Sequence, residues 1–174
     1  MEPERTELQE VTIHTDGACI GNPGPGGYGV VLEFGPHRKT LSGGYRLTTN
    51  NRMEMMALIA GLKALRWRCK VTVYSDSEIV VNGIMKGTAY KARANGWKVG
   101  NKVKANSDLW REILDLCDRH DVELVWLRGH SGHRDNELAD QLATAAARQG
   151  DLLIDEAFEE GNTTRRGPEL AFGG

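Results

Sequence analysis

Hydrophobic positions change period several times along the chain, and each change marks an element. In "VTIHTDGA", residues 11–18, apolar and polar residues alternate with the period of a strand, and Asp16 stands at its end. "GNPGPGG", residues 21–27, reads as a turn by composition. "YGVVLEF" and "RKTLSGGYRL" read as two more strands joined near Gly35 and Pro36, so the first three strands form an antiparallel meander. The spacing turns helical in "NNRMEMMALIAGLKALRW", residues 50–67, where Met53, Met56, Ala57, Ala60 and Ala64 form a stripe. "KVTVYSD" is a short strand ended by Asp76, and "SEIVVNGIM" a helix. "SDLWREILDLCDRH" is amphipathic, with Leu109, Ile113, Leu116 and Cys117 on one side and Ser107 as the expected N-cap. "VELVWLRG" supplies a fifth strand, and "NELADQLATAAARQG" a last helix with Gly150 as its stop and Asp135 as its expected N-cap.

The order β-β-β-α-β-α-(basic segment)-α-β-α fixes much of the topology. Strand–helix–strand crossovers require parallel neighbours. The expected fold is therefore α/β: a mixed five-stranded sheet, antiparallel meander plus parallel strands, with helices packed on it. Residues 1–10 read as a polar extension, 11–150 as the folded domain and 151–174 as a flexible tail with a short helix at most.

Composition adds boundaries. With 174 residues, 40% hydrophobic and 26% charged, the chain suits one ordinary soluble domain. No apolar run approaches the ~20 residues of a membrane helix, and the polar start is no signal peptide. Cys19, Cys69 and Cys117 are widely spaced and form no CxxC pair, which argues for a reducing, cytoplasmic setting over a disulfide framework. The formal charge of −2 is neutral on nucleic acid, but its distribution is not. Residues 86–104 carry Lys86, Lys91, Arg93, Lys98, Lys102 and Lys104 with no acid, and Tyr90 and Trp97 lie among them. Such a stretch suits phosphates, or is a solvated lysine-rich loop.

Four acids then stand out. Asp16 and Asp76 end strands, at the sheet edge where open sheets bind ligands. Glu54 lies one turn into the first long helix and Asp140 early in the last. Each has an ordinary alternative: Asp16 a turn residue, Glu54 half of a capping box with Asn51, Asp76 a helix cap, Asp140 a solvent-facing residue. Jointly the alternatives weaken, because chance would not send four acids to one edge. Such a cluster needs a cation, and oxygen ligands point to Mg²⁺ or Mn²⁺. Two ions ~4 Å apart can activate water and stabilise a leaving oxygen. His130 and His133 are also spaced like zinc ligands, but no soft ligands accompany them.

Taken together, "TDGACIGNPGPGGYG", "TTNNRMEMMAL", "YSDS" and "GHSGHRDNELAD" resemble, in order and spacing, the signatures of bacterial type 1 ribonuclease H. The resemblance runs from about Val11 to Gly150 and includes the basic handle, 86–104. It implies a ribonuclease H-like fold and an endonuclease, acting as a monomer, that cleaves the RNA strand of RNA–DNA hybrids and leaves 3′-hydroxyl and 5′-phosphate ends. It places the two-Mg²⁺ ligand set, with Mn²⁺ as a substitute, on Asp16, Glu54, Asp76 and Asp140. It gives His130 a part in proton handling and product release, and His133 a lesser role. It assigns hybrid contacts to Asn22, Asn50 and Asn51, a DNA phosphate to Thr49 and Asn106, and the DNA strand to the handle, with Trp97 against a sugar and Lys98 beside it. This chain departs from the family's best-known members in having Tyr90 and Arg93 where two tryptophans precede "GW", and Glu78 where Gln is frequent. Other readings stay open: a non-catalytic hybrid-binding module, half of an actin-like ATPase, for which the chain is too short, or a transposase or integrase core, whose acid spacing is not evident.

Overall fold

A computed structural model describes residues 7–129 and 132–164 of the chain. Its centre is a five-stranded sheet of β1 (Gln9–Cys19), β2 (Gly24–Phe34), β3 (His37–Thr48), β4 (Cys69–Ser75) and, last in the chain, β7 (Asp121–Trp126). Across the sheet the order is β3-β2-β1-β4-β7. β3, β2 and β1 form the antiparallel meander, and β4 and β7 continue parallel to β1. The mixed sheet expected from the element order is thus present.

Helix α1 (Asn50–Lys63) lies across one face, and α5 (Arg134–Arg148) covers the other, where its backbone meets β2 and β3. α2 (Glu78–Met85), α3 (Thr88–Ala94) and α4 (Ser107–Arg119) complete the α1 side. The core runs from Ile13, Val30 and Val73 of the sheet to Leu58, Leu62, Ile113 and Leu114. Each such side chain contributes roughly 1.5–3 kcal/mol on burial. α1 departs from the expected single stripe: Met53, Met55, Leu58, Ile59 and Leu62 are all buried, because the helix is covered by the sheet on one side and by α4 on another.

Residues 21–27 were expected to be a turn, yet Gly24–Gly27 belong to β2. The glycines serve packing. A Cβ on Gly27 would sit 2.4 Å from the Ala143 carbonyl oxygen, and one on Gly29 2.2 Å from that of Ala139, so α5 lies directly on the strand backbone. The basic segment is likewise no open loop. It folds into α3 and a hairpin of β5 (Lys98–Val99) and β6 (Lys102–Val103).

Two capping expectations fail. Ser107 is buried inside α4, and Asn106 in the left-handed conformation (φ 57°) takes the N-cap position. Asp135 lies within the first turn of α5, which begins after His133, and pairs with Arg38 of β3 instead. As far as residue 164 the tail carries the short helix expected of it and also packs against the domain. Leu153 bridges to Tyr45, α6 (Glu156–Glu159) follows, and Asp155 is buried.

Among the described residues, no helix is long and apolar enough to cross a membrane.

Candidate active site

The parallel register of β1 and β4 brings the first two acids together. His14 pairs with Tyr74, so Asp16 and Asp76, each two residues on, leave the paired region at the same level. Asp16 does not end its strand, since β1 runs on to Cys19 against β2. Asp76 follows the last residue of β4. Glu54 arrives from α1, which passes so close to β1 that a Cβ on Gly17 would lie 2.5 Å from the Glu54 amide nitrogen. Glycine at 17 is what allows that approach.

The ordinary alternatives for these acids are taken by other residues. Thr49 caps α1, its hydroxyl accepting from the Arg52 amide at 3.2 Å. Ser77 caps α2, accepting from the Val80 amide at 3.3 Å. Neither Glu54 nor Asp76 is needed as a cap. Asp16 Oδ1 does accept from the Gly17 amide, at 2.8 Å.

Ligand oxygens of Asp16, Glu54 and Asp76 all lie within 4.8 Å of one another. Asp140, on the inner face of α5, lines the same open cleft of about 340 Å³ without entering the tight trio. Glu54 Oε2 and Asp76 Oδ1 are buried with no hydrogen-bond partner. Burial pushes the Asp16 carboxyl up to about 7, with the Asp76 charge adding to it. Burial, then the charges of Asp16 and Asp76, hold Glu54 well above the usual carboxylate range. Orphaned oxygens and carboxyls reluctant to ionise describe a site that lacks positive charge. An all-oxygen donor set of this kind fits a hard divalent cation.

The cleft rim carries several of the other expected residues. Asn50 lines it at the start of α1, and the Asn50 amide donates to Asn22 Oδ1 at 2.9 Å. Asn51 is exposed beside them. His133 lines the cleft, whereas His130 lies outside the described residues. Lys98 is exposed on the hairpin. Glu78 is exposed in the first turn of α2, where the helix dipole suits an acid.

Trp97 lies deeper than the neighbouring lysines of the basic segment. Its side chain is buried in the core, 6% exposed, with the Arg111 guanidinium 5.0 Å from the ring centroid. A positive φ of 67° turns the ring inward from the hairpin, and Lys98 and Lys102 face solvent instead. The Tyr90 and Arg93 departure is also explained: Arg93 lies over the Tyr90 ring at 5.2 Å and pairs with Asp118 of α4 at 2.7 Å, tying α3 down without tryptophans.

Arg52 is the residue that sequence reasoning missed. It is 2% exposed and spends all its donors internally. Nε and Nη2 reach Asp155, Nη1 and Nη2 reach Asp108, and Nη1 also reaches Asn106 Oδ1 at 3.1 Å. Its amide caps on Thr49, so one residue positions both Thr49 and Asn106. Set between Asn51 and Met53 in a mixed polar and apolar turn, Arg52 carries no sequence signal of this role.

A five-stranded mixed sheet with an acid trio beside its parallel strands, Asp16 and Glu54 buried and Asp76 half-buried, fits a metal-dependent nuclease-type site, and the comparisons make the class specific. The family model described as RNase H matches residues 8–148. The ribonuclease H of Syntrophus aciditrophicus is 58% identical over 151 residues, 86% of this chain and 87% of that protein. The crystal structure of LC9-RNase H1, a type 1 RNase H with the type 2 active-site motif, superposes with a TM-score of 0.74 at 30% identity, covering 95% of this chain and 91% of that one. LC11-RNase H1 in complex with RNA/DNA hybrid gives a TM-score of 0.59 at 26% identity, over 85% and 99% of the two chains. The chain belongs to the RNase H family. Its activity is that of an endoribonuclease hydrolysing the RNA strand of RNA–DNA hybrids.

Proposed function

We propose that Asp16, Glu54, Asp76 and Asp140 hold two Mg²⁺ ions, with Mn²⁺ able to replace them, at the cleavage centre of this nuclease. The observation that carries the reading is the trio of carboxylates within 4.8 Å whose buried oxygens Glu54 Oε2 and Asp76 Oδ1 have no protein donor. Ions bound there would neutralise the acids, sharpen a water into a nucleophile and stabilise the leaving 3′ oxygen.

The chain's own groups do the positioning. Asp140, half-buried across the cleft, completes the set from α5. Asn22, Asn50 and Asn51 offer neutral donors and acceptors suited to 2′-hydroxyls in a wide minor groove. Thr49 and Asn106, both tied to Arg52, hold a phosphate of the DNA strand. Lys98 and the hairpin add sequence-blind attraction for that strand. His130, by its place in the motif, handles protons at the cut site. The three cysteines are free, in keeping with a reducing cytoplasm, and the enzyme is read as a monomer.

The test is cleavage of a labelled RNA–DNA hybrid beside RNA–RNA and DNA–DNA duplexes, with and without Mg²⁺. Only the hybrid should be cut, and only with the ion. Asp76→Asn should abolish cleavage and keep hybrid binding. Full cleavage by that variant would overturn the ligand assignment.

A further inference from the structure

Directly behind the carboxylates lies a second layer of side chains that the reaction does not use. His14 precedes Asp16 by two residues on the same face of β1. Tyr74 precedes Asp76 by two on β4, and Asn136 precedes Asp140 by one turn on α5. These three residues touch. The His14 ring stacks on Tyr74 with centroids 4.8 Å apart and planes 16° from parallel. His14 Nδ1 donates to Asn136 Oδ1 in a short hydrogen bond. Beside it, Asp135 is held by Arg38 of β3, with His14 Nε2 3.9 Å from the carboxylate.

From this we infer that His14 is a positioning residue: through Asn136 it fixes the first turn of α5, and with it Asp140, relative to the Asp16–Glu54–Asp76 trio.

Three observations support the assignment. First, α5 begins with no side-chain cap, since the N-cap residue His133 makes no capping hydrogen bond. Its first turn is therefore held from outside, by His14 on Asn136 and Arg38 on Asp135. Secondly, the His14–Asn136 bond is part-buried, so water competes with it less than at an exposed site. Thirdly, the brace runs parallel to the gap it must control. A strand and a helix facing each other at Asp16 and Asp140 are joined by one hydrogen bond a single step behind. The Tyr74 stack fixes the plane of the imidazole, so that bond has a direction.

The inference rests on the metal reading, and the experiment separates the two. Mn²⁺ binding to the hybrid-free protein is followed by electron paramagnetic resonance, with thermal melting to confirm folding. His14→Phe keeps the stack and removes the donor. His14→Asn keeps a donor at the position of Nδ1 and removes the stack. His14→Phe should weaken Mn²⁺ binding about three- to tenfold, the effect of one net hydrogen bond, while His14→Asn stays within about twofold of the parent on the same scale. In an Asp140→Asn background His14→Phe should have no further effect, a non-additivity that general destabilisation would not produce. Parental Mn²⁺ binding that survives Asp76→Asn would overturn the metal reading and this inference with it. Asp76-dependent binding that His14→Phe leaves unchanged, or weakens equally in both backgrounds, would overturn the inference alone.

Discussion

Arg52 and Asp155 meet in a two-point contact, Nε to Oδ2 at 2.8 Å and Nη2 to Oδ1 at 3.0 Å, and neither side chain has appreciable exposure. One belongs to α1, one residue pair before Glu54; the other belongs to the segment after the last long helix. Asp108 supplies a second two-point contact, and Thr48 donates to Asp155 Oδ2 at 2.7 Å. Removing one partner of such a group strands buried charge, which costs about 3–5 kcal/mol. Arg52→Ala should therefore lower the unfolding free energy by roughly that amount in denaturant titration. Arg52→Lys should recover little, since an ammonium cannot reproduce the fork.

The same contact makes stability pH-dependent. Burial pushes the Asp155 carboxyl up, but hydrogen bonds from Arg52 and Thr48 outweigh it and hold the group below its ordinary 3.8. A depressed carboxylate stabilises the fold above its unfolded pKa and loses that contribution as pH falls through the folded one. The stability gap between the parent and Asp155→Asn should thus be full at pH 6 and close below about pH 4, read from urea midpoints across that range.

For Asp16 the sign reverses. Asp16 titrates near 7 against an ordinary 3.8. The raised pKa means the metal-free fold is favoured below the unfolded value and loses stability as pH rises through about 7. Without divalent ions the melting temperature should fall between pH 5 and pH 8 by several degrees, on the scale of ~1 kcal/mol or more. Mg²⁺ should restore it at pH 8 and do little at pH 5. Asp16→Asn should flatten the profile; a profile unchanged by that substitution would count against the shift.

Gly29→Ala places a methyl group where the Ala139 carbonyl oxygen stands, 2.2 Å from the new carbon. α5 must lift from the sheet, and Asp140 with it. Overpacking of this kind costs ~1–3 kcal/mol. Melting should register that loss, and cleavage should fall further than stability alone explains, with a raised Mg²⁺ requirement.

Trp97→Ala should act as a core truncation, lowering stability by ~3–5 kcal/mol. Lys98→Ala should leave stability unchanged and reduce the slope of log affinity for hybrid against log salt by about 0.9 or less. A large affinity loss from Trp97→Ala at unchanged stability would support the sugar-contact reading.

How much of this was legible beforehand depends on what each residue answers to. The mixed five-stranded sheet was readable because the strands carry local periodicity and crossover rules are general. The gathering of Asp16, Glu54 and Asp76 was readable from the resemblance and from the local placing of Glu54 and Asp76 at a helix start and a strand end, although Asp16 lies within β1 rather than at its end. Gly26 and Gly27 were misread because their small size answers to distant partners, Gly26 to Thr48 and Met53 and Gly27 to α5, more than a hundred residues away. Ser107 and Asp135 carry cap-forming chemistry, but tertiary partners decided otherwise: Asn106 was recruited by Arg52, and Asp135 by Arg38. Arg52 itself reads as an ordinary helical surface cation until two distant aspartates are placed around it. Trp97 followed the motif's lettering, while its backbone conformation turned the ring inside.

The docking of residues 151–164 has a practical corollary for anyone shortening this enzyme. The family match stops at residue 148, and Gly150 is a tempting place to end an expression clone. That cut would strip Arg52 of its two bonds to Asp155 and leave the Asp108 amide without the Thr163 carbonyl it donates to. The guanidinium holding Asn106 would then be open to water, two residues before Glu54, so a clone trimmed by homology would loosen the residue proposed to hold a DNA phosphate while leaving the carboxylates in place.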